Sequence, residues 1–366
     1  MNILRISACA CALFLLSCSS APSTAERTEL ALGTVCSVRV LDGASEKALD
    51  DAFARLAAIE AEMSANDPGT LVDQVNQAAG GQAVAVPDDL RYVTRKALEY
   101  AALSDGAFDP TIGPLVKLWG IGTEDERVPS ADEVSVALAM VDRWLLELDD
   151  QAGTLRLAKP GMRLDLGAIA KGYAADEAGR ILAEQGVTAA VIDLGGNVKV
   201  VGRKPDGSPW KIGVQNPFDD RGAYIGIVTV TGDRTVVTSG VYERYFLGDD
   251  GTHYHHILDT RTGYPVRNGL ASVTIIASSS IDADGLSTTL FALGLDKGLA
   301  LANSLDWMEA VFIDEDKRVY LSDGAQAIFE LTDDAFVLAQ ADLREPSLSD
   351  TNTQGAPSEV QTPTSP

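Results

Sequence analysis

The chain has 366 residues and a formal net charge of −24, because 53 acidic side chains outnumber 29 basic ones. This acidity argues against nucleic acid as a partner and against a surface that associates with anionic lipid by charge. It does not exclude an anionic ligand, because a bound metal ion and a lysine can reverse the sign of the potential at one site. The length suffices for one large domain or for two closely joined ones.

The N-terminal residues have the pattern of an export signal. Arg5 precedes an apolar stretch that is too short to span a bilayer as a helix. This stretch ends in Leu-Leu-Ser before Cys18 and is followed by a polar segment, which looks like a bacterial lipobox. The pattern predicts cleavage before Cys18 and acylation of its sulfur; an ordinary signal peptide cut near Ala21 or Ala25 is the alternative. Both interpretations predict that the mature chain leaves the cytoplasm.

The cysteines predict no intrachain disulfide. Cys9 and Cys11 would leave with the signal peptide and acylation would use Cys18, so that Cys36 would remain alone. Cys36 lies in an alternating, strand-like segment, where we expect a small buried apolar residue.

The first half of the chain is predicted to contain a tether, a strand and several helices. Residues 18–29 are polar and predict a tether. Alternation predicts a strand over residues 30–41 with a break at Gly33, and apolar residues at helical spacing predict helices over 45–65 and 88–104. Ser130 and Glu133 form a capping-box pattern that begins a third helix. Residues 165–186 predict a turn followed by a helix.

The second half is predicted to be rich in strands and hairpins, with helices over 282–293 and 296–305 and a buried strand over 270–277. Because no clean βαβ repeat is present, the predicted fold class is α+β, with mixed, largely antiparallel sheets and packed helices. Residues 342–366 are mostly Ser, Thr, Pro, Gln and acidic residues, which predicts a disordered tail. The expected organisation is a signal over 1–17, a tether over 18–29, one domain over 30–341 and the tail.

Two glycine-containing segments are candidates for binding a flat or phosphorylated ligand. Residues 106–122 combine glycine, proline and aromatic residues, which can present backbone groups and rings; a loop packed on the core is the alternative. The segment from Asp165 to Gly172 predicts a turn before a helix, whose free amides and Lys171 attract phosphate. An ordinary helix capped by Asp165 is the alternative. No Walker or Rossmann pattern is present.

The three histidines lie close together, at His253, His255 and His256. In an extended strand the first two share a face and His256 takes the other. Their spacing is unusual for structural zinc, so a general base is the better hypothesis and packing is the alternative. In the segment 238–244, the hydroxyls beside Gly240 favour phosphate or ribose contacts over serine catalysis.

Asp284 and Thr288 are the candidate metal ligands. They stand four residues apart in a predicted helix, so both side chains lie on one face. Magnesium takes oxygen ligands, usually one or two carboxylates together with water and substrate phosphates. We expect Asp284 to be partly exposed, as a ligand with little packing role. Polar residues of a first helical turn without a ligand are the alternative, and Asp282 would then cap the helix.

Six motifs, in this order, resemble the ApbE family of periplasmic flavin transferases. They are Leu-Gly-Thr from Leu32, Gly-Ala-Phe-Asp-Pro-Thr, Asp-Leu-Gly-Ala-Ile-Ala-Lys-Gly-Tyr, Asp-Leu-Gly-Gly-Asn, His-His-Ile-Leu-Asp-Thr-Arg-Thr-Gly and Ala-Asp-Gly-Leu-Ser-Thr. The resemblance covers most of the mature chain. It implies an ApbE-like fold and a Mg²⁺-dependent FAD:protein FMN transferase, which splits the FAD pyrophosphate, releases AMP and attaches FMN through a phosphoester to a threonine of another protein.

The resemblance also implies the roles of individual residues. Contacts to FAD fall on Leu32, Asn66, Ala107, Phe108, Asp109, Asp165, Lys171 and Ile257. Ligands of Mg²⁺ fall on the backbone oxygen of Ala168 and on Asp284 and Thr288. His256 matches the proposed base, which accepts the threonine proton. Lys171 helps to neutralise the negative charge of the phosphates.

Three positions depart from the family pattern. Leu32 replaces the usual methionine, which is a near-isosteric change. Asn66 stands where an aromatic ring often stacks on the ligand, and Ser287 stands where some members have a second aspartate. The last change leaves one anionic ligand fewer and predicts weaker metal affinity.

The resemblance further implies that the acceptor is a membrane redox subunit with a threonine flavinylation motif. It implies a periplasmic, lipid-anchored location, with the inner membrane favoured. Two other activities remain open: a Mg²⁺-dependent FAD pyrophosphatase that gives FMN and AMP, and a non-catalytic FAD-binding lipoprotein.

Overall fold

The computed structural model describes residues 24–341. The predicted signal peptide, Cys18 and the C-terminal tail lie outside the described residues. Within residues 24–341 no helix is long and apolar enough to cross a membrane. The α-helices are α1 Glu46–Met63, α2 Leu71–Gln77, α3 Asp88–Leu103, α4 Gly113–Trp119, α5 Ala131–Leu138, α6 Ala170–Glu184, α7 Ser280–Leu293 and α8 Leu295–Asn303. The strands are β1 Ala25–Ala31, β2 Thr34–Asp42, β3 Val84–Ala85, β4 Leu146–Asp149, β5 Thr154–Leu157, β6 Ala189–Leu194, β7 Asn197–Gly202, β8 Trp210–Gln215, β9 Tyr224–Val230, β10 Arg234–Gly240, β11 Tyr245–Leu247, β12 His253–His255, β13 Leu270–Ala277, β14 Glu309–Asp314, β15 Arg318–Leu321, β16 Phe329–Leu331 and β17 Val337–Leu338.

A nine-stranded sheet forms the centre of the fold. Its strand order is β1-β2-β6-β7-β10-β13-β14-β15-β17, and every neighbouring pair is antiparallel except β15 and β17. Smaller sheets have the orders β16-β9-β8, β3-β5-β4 and β11-β12. The prediction of an α+β fold with largely antiparallel sheets is therefore confirmed.

The central sheet is covered on both faces. Apolar side chains of α1, α3, α6 and α7 form a large core with one face of the sheet. On the other face, the β16-β9-β8 sheet contributes Trp210, Ile225 and Val228 to a second cluster. Because both faces are covered, every residue of β13 is buried, as its run of apolar and β-branched residues predicted.

The helix signals in the sequence are confirmed where caps are present. Ser45 caps α1 by accepting a hydrogen bond from the Ala48 amide at 3.0 Å. Ser130 and Glu133 form the predicted capping box of α5. Two short helices, α2 and α4, were not predicted; α4 lies within the glycine- and proline-rich segment, with Pro114 in its first turn.

The prediction of a tether up to residue 29 is wrong, because β1 begins at Ala25. Strand β1 pairs with β2 in continuous register, from Ala25 opposite Val40 to Ala31 opposite Thr34. As an edge strand it is held by backbone hydrogen bonds with little apolar burial, so its polar composition did not reveal it. The predicted single strand over 30–41 is instead the hairpin of β1 and β2.

Candidate functional site

A cleft of about 1890 Å³ gathers the predicted site residues. It is bordered by the β1–β2 hairpin, the turn after α1, the loop 106–112, the start of α6, the β10–β11 connection and one face of α7. Every site residue that the sequence predicted within residues 24–341 lines this cleft, namely Leu32, Asn66, Ala107, Phe108, Asp109, Asp165, Ala168, Lys171, His256, Ile257, Asp284 and Thr288. Their convergence in space is a finding of the structure, whereas their individual roles stay predictions.

Helices α6 and α7 meet at Asp284. The Gly172 amide donates a hydrogen bond to Asp284 Oδ2 at 2.8 Å, and Lys171 Nζ lies 3.6 Å from Asp284 Oδ1. Asp284 is only 4% exposed, so the expectation of a partly exposed ligand is wrong. A side chain at Gly172 would place its Cβ 2.7 Å from the Cβ of Asp284, and only glycine allows this approach. The carboxylate is thus both a site group and a contact between helices.

The second candidate ligand on α7, Thr288, faces β10. Its Oγ1 lies 3.1 Å from Ser239 Oγ, and that hydroxyl is also 2.8 Å from Ser287 Oγ. Ser287 is fully buried and donates to the backbone oxygen of Asp284 at 2.9 Å. Ser287 does not line the cleft, so the position that departs from the family pattern supports α7 from within the core.

The turn before α6 is held by Asp165. Its Oδ1 accepts a hydrogen bond from the Gly167 amide at 2.8 Å, and its own amide donates to the Pro110 oxygen at 2.8 Å. Desolvation raises the pKa of Asp165, and the bond from Gly167 opposes that rise. Helix α6 starts at Ala170 without a side-chain cap, so Asp165 does not cap it. Lys171 lies in the first turn, as predicted, and binds the Gly167 oxygen at 3.2 Å.

Asp109 is occupied with the backbone of its own loop. Its Oδ1 accepts hydrogen bonds from the Thr111 amide at 2.8 Å and the Thr111 hydroxyl at 2.6 Å, and Oδ2 accepts one from the Arg143 amide at 3.2 Å. Burial raises the pKa of Asp109 while the Thr111 hydrogen bonds oppose the rise. Phe108 lines the cleft, but Trp119 is fully buried and binds the Gly263 oxygen. The segment 106–122 therefore packs on the core through Trp119 and lines the cleft both at its start and at its end, where Gly120, Ile121 and Gly122 border it.

His256 follows β12 directly and lines the cleft. Its Nδ1 lies 3.3 Å from the Arg244 oxygen, so the neutral ring carries its proton on Nδ1 and leaves Nε2 as an acceptor. Desolvation lowers the pKa of His256 to about 3, and the Arg244 guanidinium adds to this effect. His255 is buried with Nε2 2.8 Å from the Val266 oxygen, and is a packing residue. The geometry fits the hypothesis of a base at His256.

Basic side chains line the cleft although the chain is strongly acidic. Lys171 was predicted from the sequence, whereas Lys117, Arg163, Arg221 and Arg244 also line the cleft and were not predicted. Arg244 is exposed and its Nη2 donates to the Gly33 oxygen at 3.1 Å, which joins the β10–β11 connection to the β1–β2 hairpin. Each of these residues is isolated in sequence, so only the fold reveals that they face one space. They offer individual contacts to an anionic ligand, although the cleft lining as a whole holds more acidic than basic side chains, among them Glu60, Asp193, Asp219 and Asp220.

The donors predicted for a metal ion in the cleft are oxygen atoms. Across the described range 24–341, no three His, Cys, Asp or Glu side chains are grouped as metal ligands. A cation at this site would rely on the carboxylate of Asp284, the hydroxyl of Thr288 and the backbone oxygen of Ala168, which all line the cleft. This donor set fits Mg²⁺, which prefers hard oxygen ligands and keeps places for water and phosphate. It does not fit a zinc site.

Comparison with known proteins agrees with this geometry. The model of the ApbE family matches residues 32–312. An FAD:protein FMN transferase of Klebsiella pneumoniae is 40% identical, over 75% of this chain and 84% of that protein. An FAD:protein FMN transferase of Treponema pallidum is 39% identical, over 85% of this chain and 90% of that protein.

Solved structures give the same assignment. The ApbE protein of Thermotoga maritima superposes with a TM-score of 0.77 at 34% identity, and covers 84% of this chain and 99% of its own. The flavin transferase ApbE of Vibrio cholerae superposes with a TM-score of 0.75 at 28% identity and the same coverage. Sequence motifs, fold and cleft therefore agree, and the chain belongs to the ApbE family.

Proposed function

We propose that the chain is a Mg²⁺-dependent FAD:protein FMN transferase that attaches FMN to a threonine of another protein and releases AMP. The observation that carries the proposal is the convergence of Lys171, Asp284, Thr288 and His256 on one cleft. The relatives at 40% and 39% identity bear the name of this activity. The cleft, of about 1890 Å³, exceeds the roughly 300–1000 Å³ usual for a small-molecule pocket. This size suits a dinucleotide together with a segment of an acceptor protein.

The transfer is a displacement at phosphorus. The threonine oxygen of the acceptor forms a bond to the phosphorus of the FMN half, and the bond from that phosphorus to the bridging oxygen breaks. AMP leaves with the bonding electron pair on that oxygen. His256 Nε2 accepts the proton of the threonine hydroxyl; its lowered pKa leaves the ring unprotonated at neutral pH but also makes it a weaker base than an ordinary histidine.

The helical side of the cleft supports the charge of the phosphates. Lys171 and the positive end of the α6 dipole stabilise negative charge on the transferred group. Asp284, Thr288 and the backbone oxygen of Ala168 would hold Mg²⁺, which when bound neutralises charge on the diphosphate. In such reactions positioning and charge stabilisation account for most of the rate enhancement.

We extend the proposal to location and partner. The pattern around Cys18 supports a lipid anchor outside the cytoplasm, with the inner membrane favoured, and the acceptor is a membrane redox subunit with a threonine flavinylation motif. Globomycin treatment of producing cells tests the anchor, because inhibition of lipoprotein signal cleavage leaves the precursor uncut. Cleavage that is insensitive to globomycin would contradict the lipoprotein assignment.

Incubation of the purified chain with FAD, Mg²⁺ and a flavin-acceptor domain tests the activity. We expect fluorescence that stays with the denatured acceptor and is lost when its threonine is changed to valine, with release of one AMP per flavin attached. Free FMN and AMP without labelled acceptor would instead identify a pyrophosphatase. FAD that remains bound and intact would identify a binding protein.

A further inference from the structure

The carboxylate of Asp176, on α6, binds the first turn of the neighbouring helix α7. Its two oxygens accept hydrogen bonds from the Ser280 amide at 3.0 and 2.9 Å, and Oδ2 accepts another from the Ile281 amide at 2.9 Å. The first amides of a helix have no partner within the helix, and the helix dipole favours negative charge there. Asp176 therefore caps α7 from outside, in addition to its N-cap residue Ser279.

A buried lysine holds this carboxylate in place. Lys199, on β7, is 8% exposed, and its Nζ donates to Asp176 Oδ1 at 2.8 Å and to the Ser278 oxygen at 3.3 Å. Gly179 makes room for the lysine, because a Cβ at that position would lie 2.9 Å from Lys199 Cε. The carboxylate is thus fixed between an ammonium group and two backbone amides.

The Asp176 cap lies one helical turn from the contact at Asp284. Gly172 and Asp176 are four residues apart on α6, and Ser280 and Asp284 are four residues apart on α7, so each pair shares a helix face. The amide of Gly172 binds the carboxylate of Asp284, whereas the carboxylate of Asp176 binds the amide of Ser280. These two reciprocal contacts fix the register of α7 against α6.

We propose that Asp176 is a positioning residue for the reaction, because it sets the register of α7 and so places Asp284 and Thr288 relative to Lys171. Asp176 does not line the cleft and acts through α7. The inference rests on the proposed function, in which Asp284 and Thr288 hold the cation. It predicts that loss of the carboxylate changes the response to Mg²⁺ beyond any change in stability.

The first test is Asp176→Asn, which keeps the size of the side chain but removes one acceptor oxygen and the negative charge. A group that hydrogen-bonds a metal ligand directly contributes about 10–100-fold to metal affinity, and Asp176 acts one step further out, on the backbone of the helix that carries the ligands. We therefore expect the Mg²⁺ concentration for half-maximal turnover to rise by about threefold to tenfold. The matched control is Glu177→Gln on the same helix, which breaks a part-buried ion pair with Arg55. Its half-saturating Mg²⁺ concentration should be unchanged.

A double variant separates positioning from stability. Asp176→Asn leaves the Lys199 ammonium without its ion-pair partner in a buried place, and Asp176→Asn with Lys199→Met removes that charge. We expect the double variant to regain much of the lost thermal stability while the requirement for high Mg²⁺ persists. If thermal stability and the ordinary Mg²⁺ requirement recovered together, Asp176 would have a purely structural role and the proposal would be overturned.

Amide hydrogen exchange gives a readout that needs neither FAD nor Mg²⁺. In Asp176→Asn we expect faster exchange at Ser280, Ile281 and Gly172 than in the parent protein, and no such change in Glu177→Gln. Unchanged exchange at these amides would overturn the inference. Flavin transfer by the parent protein without any divalent cation would instead contradict the proposed function. The hydrogen-exchange comparison would still show whether Asp176 holds α7 against α6.

Discussion

The two sides of the cleft are built in different ways. One side, here the helical wall, consists of α6 and α7, where Asp284 is 4% exposed and Gly172 leaves no room for a side chain. The other side, here the loop wall, consists of the β1–β2 turn, the loop 106–112 and the segment 241–257. In the loop wall Leu32 has a left-handed backbone, with φ of 54°, and Arg244 is exposed.

This difference suggests a division of labour. Groups on packed helices keep their relative positions, which charge stabilisation requires. Loops on a rigid scaffold tolerate variation and commonly carry ligand recognition. Substitutions in the helical wall should therefore affect turnover and folding together, whereas most substitutions in the loop wall should affect binding of FAD.

Asp284→Ala should abolish turnover and also destabilise the protein. The substitution removes the candidate metal ligand and leaves the buried Gly172 amide without its partner, which costs about 1–3 kcal/mol. Steady-state assays and urea unfolding measure the two effects. The control is Asp282→Ala on the same helix, whose carboxylate binds Lys96 and Tyr100 away from the cleft. Full activity of Asp284→Ala would refute the metal assignment.

His256→Ala should slow flavin transfer by about 10²–10⁴-fold, the usual contribution of a general base. His256 lies in the loop wall, which we otherwise expect to bind FAD. This result would therefore show that the loop wall also contributes a residue to the chemical step. Single-turnover labelling of the acceptor measures transfer, and fluorescence titration measures FAD affinity, which should change little. An equal loss of FAD binding would indicate a positioning role.

The pH dependence provides an independent check on His256. Its pKa of about 3 in the folded protein lies below the value near 6.5 of an unfolded histidine. Between these values the unfolded chain binds more protons, so this contribution to stability is present above about pH 6.5 and is lost as pH falls towards 3. Urea unfolding of His256→Gln should depend less steeply on pH in this window. The transfer rate of the parent should not fall between pH 8 and 5 through protonation of His256; a fall centred near 6.5 that is absent in His256→Gln would contradict this.

Lys171→Met should lower the transfer rate by about 10²–10³-fold, as expected for loss of one group that stabilises developing negative charge. Methionine keeps an unbranched side chain but removes the charge that lies 3.6 Å from Asp284. Lys117→Met is the control, because Lys117 is an exposed lysine that also lines the cleft. Similar losses in both variants would mean that the transfer rate depends only on the total charge of the cleft and not on the position of Lys171.

Leu32→Gly should have the smallest effect and the opposite sign on stability. A left-handed backbone costs an L-residue about 1–2 kcal/mol, and glycine adopts it freely. We expect a slightly higher melting temperature together with weaker FAD binding, because the apolar side chain in the cleft is lost. A lower melting temperature would indicate that the packing of Leu32 outweighs its strain.

The sequence predicted the helical wall better than the rest of the site. Apolar periodicity and small residues located α6 and α7, and the spacing of Asp284 and Thr288 placed both on one helix face. The burial of Asp284 was not predictable in the same way, because it depends on Gly172, 112 residues away in the chain. The cap from Asp176 to Ser280 is equally non-local, since nothing near either residue indicates the other.

The loop wall shows where sequence patterns fail. Strand β1 is held by its backbone pairing with β2. Its polar composition therefore led to the wrong prediction of a tether. The carboxylate of Asp109 binds the backbone of Thr111 and Arg143, which its motif did not indicate, and its contact with the ligand stays a prediction. Such assignments depend on how loops close against each other, which residue type and local spacing do not determine.

The thiol of Cys36 can report how often the β1–β2 hairpin opens. This thiol is fully buried, and Sγ donates a weak hydrogen bond to the oxygen of Ala31, the neighbour of Leu32, at 3.3 Å. Burial raises the pKa of the thiol to about 11, so alkylating reagents meet almost no thiolate until the hairpin separates. Cys36 is the sole cysteine in the range 24–341, and its alkylation rate therefore records how often this edge of the molecule opens.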